Sequence, residues 1–198
     1  MIISKAERTK QFIIEKTAPI FNAKGYVGTS MNDITNATGL TKGSIYGNFE
    51  NKDEVALAAF DQNYSTIVNY LRKQIEVRPN MIDRLLVYPE TYSVFLDLPF
   101  LKAGCPILNT SVEADDTHPL LRAKAVMALK FWKKAIEKSI ATGVERNEIK
   151  ATTNANEFSF ILMSLIEGAM MQAKVTGSSE VLKVTMNYLE KMIKDLKA

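Results

Sequence analysis

The sequence predicts an all-α protein of nine or ten helices, and three observations carry that class. Apolar residues recur at three- and four-residue spacing along nearly the whole chain, while strand-like alternation is scarce. Cap-x-x-acid patterns, Ser30-Met31-Asn32-Asp33 and Asn51-Lys52-Asp53-Glu54, mark helix starts, and glycines and prolines mark the breaks between segments. Over 198 residues the chain is 46% apolar and 24% charged, a globular balance that excludes disordered and rod-like classes.

The first helix is expected from about Ser4 to Lys24, with Phe12, Ile13, Ile14, Ile20 and Phe21 on its apolar side. Gly25 should cap it, and Pro19 should kink it by removing a backbone donor. Ser30 caps a second helix, Met31 to Thr38, which Gly39 stops. Thr41 caps a third, Lys42 to about Phe49. These two short helices, joined through Gly39-Leu40, form a helix-turn-helix. Met31, Ile34, Ala37, Leu40, Ile45 and Phe49 would seal its core. Asn51 starts a long helix reaching about Val77. Beyond Arg78-Pro79-Asn80, helices are expected from Met81 to about Leu98, kinked at Pro89, and from Ile107 to Glu113. The last three run from His118-Pro119 to about Ala141, from Asn154 to Thr176 and from Ser178 to Lys197.

Charge is unevenly placed. The net of +3 arises within residues 1–49, where Lys5, Arg8, Lys10, Lys16, Lys24 and Lys42 face Glu7, Glu15 and Asp33; the remainder is neutral. An anionic partner is expected at that end. No run reaches about 18 consecutive apolar residues, so no membrane segment is expected. Met1-Ile2-Ile3-Ser4-Lys5 opens no secretion leader, and the lone Cys105 forms no internal disulfide, which predicts a reduced, cytoplasmic setting. Glu113, Asp115, Asp116 and His118 are the only metal-like cluster, and they read better as a polar turn with a helix cap than as a metal site. Phosphate-loop, dinucleotide and hydrolase patterns are missing, so neither an enzyme nor a cofactor is expected.

The stretch Gly25-Tyr26-Val27-Gly28-Thr29-Ser30-Met31-Asn32-Asp33-Ile34, followed by Gly39-Leu40-Thr41-Lys42-Gly43-Ser44-Ile45-Tyr46-Gly47-Asn48-Phe49-Glu50-Asn51-Lys52, closely resembles the N-terminal signature of TetR-family transcriptional regulators. The match covers about residues 8–57. The resemblance implies a homodimeric repressor on a pseudo-palindromic operator, released when a small-molecule effector binds its C-terminal domain. Residues 1–50 would be the DNA-binding domain and 51–198 the helical ligand-binding and dimerisation domain. The second short helix of such a unit lies in the major groove with its first turn, here Thr41-Lys42-Gly43-Ser44, nearest the bases. Gly43 and Gly47 each sacrifice about 1 kcal/mol of helix propensity, which a purely structural helix would avoid and close backbone approach to DNA explains. Lys42 and Asn48 can reach bases or phosphates, as can Thr41 and Ser44. Tyr46 matches the family tyrosine that packs on the sugar-phosphate backbone. Lys52, beside helix N-terminal amides, would anchor a phosphate. Thr29 and Ser30 resemble a second phosphate clamp, with Asn32 turned to the groove. Thr41 and Ser30 could equally be caps alone, and Asn48 merely solvated.

In the remainder, the segment from Asn156 to Ala173 is apolar nearly all round and must be buried nearly all round. Burial against a second subunit is the simple explanation, through Phe158, Ile161, Leu162, Leu165, Gly168 and Ala169, with Ser164 and Gly168 permitting close crossing; a central core helix of a single subunit is the other reading. The resemblance further implies an effector pocket, for which Tyr64, Tyr88, Tyr92, Phe95, Phe100, Cys105, Met127, Phe131, Trp132 and Met163 are candidates. Cys105, at a helix start that would lower a thiol pKa, reads better as a buried, inert thiol, but it offers an alternative in which oxidants or electrophiles are sensed directly, and Lys174 could assist. A DNA-binding regulator with no small-molecule ligand is the other alternative.

Overall fold

The computed structural model describes residues 4–198; Met1-Ile2-Ile3, on which the leader expectation partly rests, lies outside the described residues. Among the described residues the chain is 77% helical, in nine α-helices with a 3₁₀ turn at Phe95–Asp97. It divides into two compact units, and the chain passes between them three times, within α4, between Gly104 and Cys105, and within α7.

The first unit comprises the residues up to Thr66 together with Cys105–Val126. Helix α1 (Lys5–Gly28) opens on a capping box between Ser4 and Glu7. Its internal dihedrals leave the helical region at Gly25 (φ 73°) rather than at Pro19, so the expected bend is a break at the glycine. One further turn then runs to Gly28. Helix α2 (Met31–Thr38) has the expected Ser30–Asp33 capping box, and Gly39 ends it in the left-handed conformation (φ 68°). Helix α3 (Lys42–Tyr46) is capped by Thr41 and is three residues shorter than expected. It ends in a tightened turn in which the Asn48 amide donates to the Ile45 carbonyl at 3.0 Å, and the Asn48 side chain donates to the Ser44 carbonyl at 2.8 Å. Helix α4 (Lys52–Glu76) starts where Asn51 Oδ1 accepts from the Glu54 amide at 2.9 Å. Helix α6 (Pro106–Ala114) contacts α1, and the Asn109 amide donates to the Asn22 carbonyl at 3.0 Å. Ile13, Ile34, Ile45, Phe49, Val55 and Ala59 form the core, each fully or almost fully buried. Burial of a side chain such as Ile34 or Ile45 contributes about 1.5–3 kcal/mol. Met31, Ala37 and Leu40, expected in that core, are only partly covered.

The second unit comprises Ile67–Gly104 and Met127–Ala198. It contains α5 (Met81–Ser93), the 3₁₀ turn, most of α7 (Pro119–Glu145), α8 (Ala155–Thr176) and α9 (Glu180–Lys194). Helix α5 continues through Pro89 but stops five residues before the expected Leu98. The chain there tightens into the 3₁₀ turn and buries Phe95 completely. Helices α5, α8 and α9 contact one another. By length and composition α8 could cross a bilayer, and 44% of its most apolar window is buried inside the protein. Phe158, Leu162 and Ala169, expected at a subunit interface, lie instead in the chain's own core, together with Leu182, Met186, Leu189 and Ile193 of α9. On a helix apolar nearly all round, spacing cannot say which stripe its own subunit covers. The stripe left outside carries Phe160, Ile161, Ser164, Met171 and Val175, with Leu165 and Gly168 partly exposed.

Candidate nucleic-acid interface

The solvent-facing surface of the helix-turn-helix is built by its capping chemistry. Thr41 Oγ1 accepts from the Ser44 amide at 3.2 Å, which starts α3 with Thr41, Lys42 and Gly43 exposed. Ile45 is turned fully into the core, so its neighbour Tyr46 is left 48% exposed. Ser44 is half-buried, whereas Asn32 on α2 is exposed. A Cβ at Gly43 would meet only the Thr41 hydroxyl, at 3.9 Å, so the first turn offers bare backbone to solvent.

Besides the Thr41 cap, three of the expected contact residues are engaged locally. Thr29 is fully buried and donates its hydroxyl to the Gly25 carbonyl at 2.6 Å. Its expected phosphate contact is therefore corrected: the hydroxyl satisfies a carbonyl left free by the break in α1. The Asn48 amide nitrogen, as described, closes α3 rather than projecting outward. Ser30 is exposed, but its hydroxyl accepts from the Asp33 amide (3.1 Å) and donates to the Asp33 carboxylate (2.7 Å). Lys24 reaches the same carboxylate at 2.6 Å, and Lys24 and then Ser30 hold the Asp33 carboxyl well below the usual range.

Lys52, in the first turn of α4, places its ammonium 4.3 Å from the centroid of the Tyr26 ring. The Tyr26 hydroxyl donates to the Asp53 carboxylate, which pushes that phenol up to about 12. The Tyr26 and Val27 amides donate to the Glu113 carboxylate at 2.7 and 2.9 Å. His118, 8% exposed, meets the Tyr26 ring edge-on at 4.6 Å between centroids. Its Nδ1 accepts from the Leu121 amide at 3.3 Å, capping α7, and its Nε2 lies 3.9 Å from Asp53. Sequence reasoning did not find Tyr26 or Asp53 as functional candidates. Glu113 is 87 residues from Tyr26, and no local spacing signals a contact of that kind. A cavity of about 20 Å³, bordered by Tyr26, Glu113 and Asn63, has room for little more than a water molecule.

The candidate pocket residues are not all brought together. Tyr88, Tyr92, Phe95, Trp132 and Met163 are buried in the second unit. The Trp132 ring stands 6.3 Å from that of Tyr88 and 6.1 Å from that of Tyr92, and its buried Nε1 has no hydrogen-bond partner. Phe100 is half-buried against Tyr70, 5.1 Å between ring centroids. Tyr64 stacks on Phe60 in the first unit, where burial pushes its hydroxyl up to about 12. Met127 and Phe131 are 59% and 58% exposed and line no interior. The buried stripe of α7 runs through Leu121, Ala125, Ala128, Trp132, Ile136 and Ile140, and a one-residue offset carries both side chains out of it. Cys105 is buried and immediately precedes α6, and Lys174 donates to the carbonyl of Ala103.

Comparison with known proteins agrees with this geometry. Residues 13–59 match the family model for bacterial regulatory proteins of the tetR family, and residues 81–189 match the tetracyclin repressor-like C-terminal domain. The chain is 27% identical over 176 residues to the HTH-type transcriptional repressor DhaR of Mycobacterium sp. (strain GP1), spanning 87% of this chain and 86% of that one. A TetR-family regulator from Cytophaga hutchinsonii superposes with a TM-score of 0.92 at 40% identity, covering 100% of this chain and 99% of the other. A TetR regulator from Chloroflexus aurantiacus gives 0.93 at 31% identity, with 98% of each chain covered. With a helix-turn-helix of this form and family matches over both parts of the chain, the protein belongs to the TetR family of DNA-binding transcriptional regulators.

Proposed function

We propose that the protein is a homodimeric repressor that holds a pseudo-palindromic operator and releases it when a small-molecule effector binds. Residues 1–50 serve as the DNA-binding head and 51–198 as the sensing and pairing part. The observation that carries the DNA contact is the exposed first turn of α3, where Lys42, the bare backbone of Gly43 and Tyr46 face outward together. Thr41, Ser44 and Asn32 flank that turn, and Lys52 and Ser30 stand at neighbouring helix starts. Pairing uses the outward stripe of α8 with Val184 and Tyr188 of α9, an apolar surface uncommon on a subunit that works alone. Two heads must then enter successive major grooves about 34 Å apart, so a shift of a few ångströms transmitted along α4 loses one half-site.

The buried, unpartnered Trp132 Nε1 beside Tyr88 and Tyr92 supports an effector with an acceptor group and an apolar body. Such a regulator works in the cytoplasm, where both its DNA and its effector are found. The test is operator affinity of Lys42→Ala and Tyr46→Ala in protein that remains folded and dimeric. Each should bind about 5- to 150-fold more weakly, about 1–3 kcal/mol. Unchanged affinity in both variants would refute the placement of α3 on DNA.

A further inference from the structure

Around Lys52 the structure shows an arrangement that the helix-turn-helix pattern does not account for. Gly25 holds a φ of 73°, and a Cβ at that position would overlap the Glu113 carboxylate, so glycine alone fits the break. The break sets Tyr26 where it is held at four points. Its amide donates to Glu113, its hydroxyl to Asp53, its ring edge meets His118, and its ring face carries the Lys52 ammonium. Lys52 and Asp53 are consecutive in the first turn of α4, so a single aromatic ring fixes both.

We propose that Tyr26 is a positioning residue for DNA binding, its ring the platform that holds the Lys52 ammonium for a backbone phosphate. The proposal rests on the reading of α4's start as a phosphate contact. A lysine ammonium ends a flexible four-carbon stem, and binding a phosphate costs the rotamer freedom of that stem. A ring face that attracts the cation removes part of that freedom beforehand without neutralising the charge. The Tyr26 hydroxyl, held by the Asp53 carboxylate, helps to keep the ring in place. Glu113 fixes the backbone of Tyr26 and His118 fixes its ring plane, so the platform is rigid before DNA arrives.

The test uses the full-length protein and a mixed-sequence duplex of about 30 base pairs, long enough for two half-sites. Affinity is read by anisotropy between about 50 and 200 mM salt, and the slope of log affinity against log salt counts phosphates neutralised. Lys52→Ala should reduce the magnitude of that slope by about one for each bound head. Tyr26→Leu should reduce it by the same amount, and Tyr26→Leu combined with Lys52→Ala should bind no worse than Lys52→Ala alone. Tyr26→Phe, which retains the ring, should keep the wild-type slope. Should Tyr26→Leu fail to fold, Tyr26→Met takes its place with the same expected slope. A residue that only supported the fold would leave the slope unchanged and add its loss to that of Lys52→Ala; either result overturns the platform. Loss of slope in Tyr26→Phe overturns it as well. If wild-type affinity is insensitive to salt, or Lys52→Ala leaves the slope unchanged, the phosphate reading fails and the platform with it.

Discussion

Replacing Gly168 by leucine separates the stability of the subunit from that of the dimer. Gly168 sits in the interior of α8, and a Cβ added there meets nothing within 4 Å. Glycine costs a helix interior about 0.8–1.0 kcal/mol relative to alanine, and leucine costs almost nothing. The isolated subunit should therefore gain close to 0.8 kcal/mol. The same face carries Phe160, Ile161, Ser164, Met171 and Val175, and in the proposed pairing the missing side chain at Gly168 would let a partner helix approach its backbone. Leucine fills that space with four carbon atoms, and overpacking costs about 1–3 kcal/mol at each crossing. A twofold interface contains the position twice, so the dimer should lose about 2–6 kcal/mol, one and a half to four decades in dissociation constant. Sedimentation equilibrium across a concentration series measures this, and circular dichroism confirms that the monomer remains helical. A variant with an unchanged dissociation constant and a raised melting temperature would show that Gly168 faces solvent and that pairing occurs elsewhere.

Trp132→Phe keeps the aromatic packing beside Tyr88 and Tyr92 but removes the unpartnered N–H. Effectors found by quenching of the sole tryptophan of the wild type should release DNA from this variant only at about tenfold higher concentration, the weight of one hydrogen bond. An identical dose response would refute the pocket assignment. The Asp33 carboxyl is held low by Lys24 and then Ser30, and the Glu54 carboxyl by Lys10 and then the Glu50 amide. Folded values below the unfolded ones mean stabilisation that is complete above about pH 5 and lost as pH falls through the folded values. Melting temperature should therefore decline on the acid side, and Asp33→Asn should flatten that decline; an unchanged acid limb would count against the cap pair. Cys105, 2% exposed, should resist N-ethylmaleimide in the native protein with DNA affinity unaltered. Rapid alkylation accompanied by DNA release would restore the thiol-sensing alternative.

Legibility in the sequence followed the range of each interaction. Ser30 with Asp33, Thr41 with Ser44 and Asn51 with Glu54 are pairs three residues apart, and their hydrogen bonds start helices within a residue or two of the expected positions. Gly39, too, takes the left-handed conformation its place after α2 requires. Where two local signals competed, the reading was less accurate. Pro19 outranked Gly25 as the expected bend, yet a proline keeps a helical φ and a glycine can leave it. Thr29 resembled a phosphate ligand because its neighbours do, but the free carbonyl of Gly25 took its hydroxyl.

The residue order was therefore sufficient for the helices, their caps, the helix-turn-helix and the basic bias of its first quarter, since these depend on neighbours within one turn. Folding in three dimensions assigned Phe158, Leu162 and Ala169 to the subunit's own core and left Phe160, Ile161 and Gly168 for another surface. It also turned Met127 and Phe131 outward and brought Glu113 and His118 to Tyr26. Helical periodicity specifies that an apolar stripe exists, but which neighbour covers it depends on packing among segments far apart in the chain.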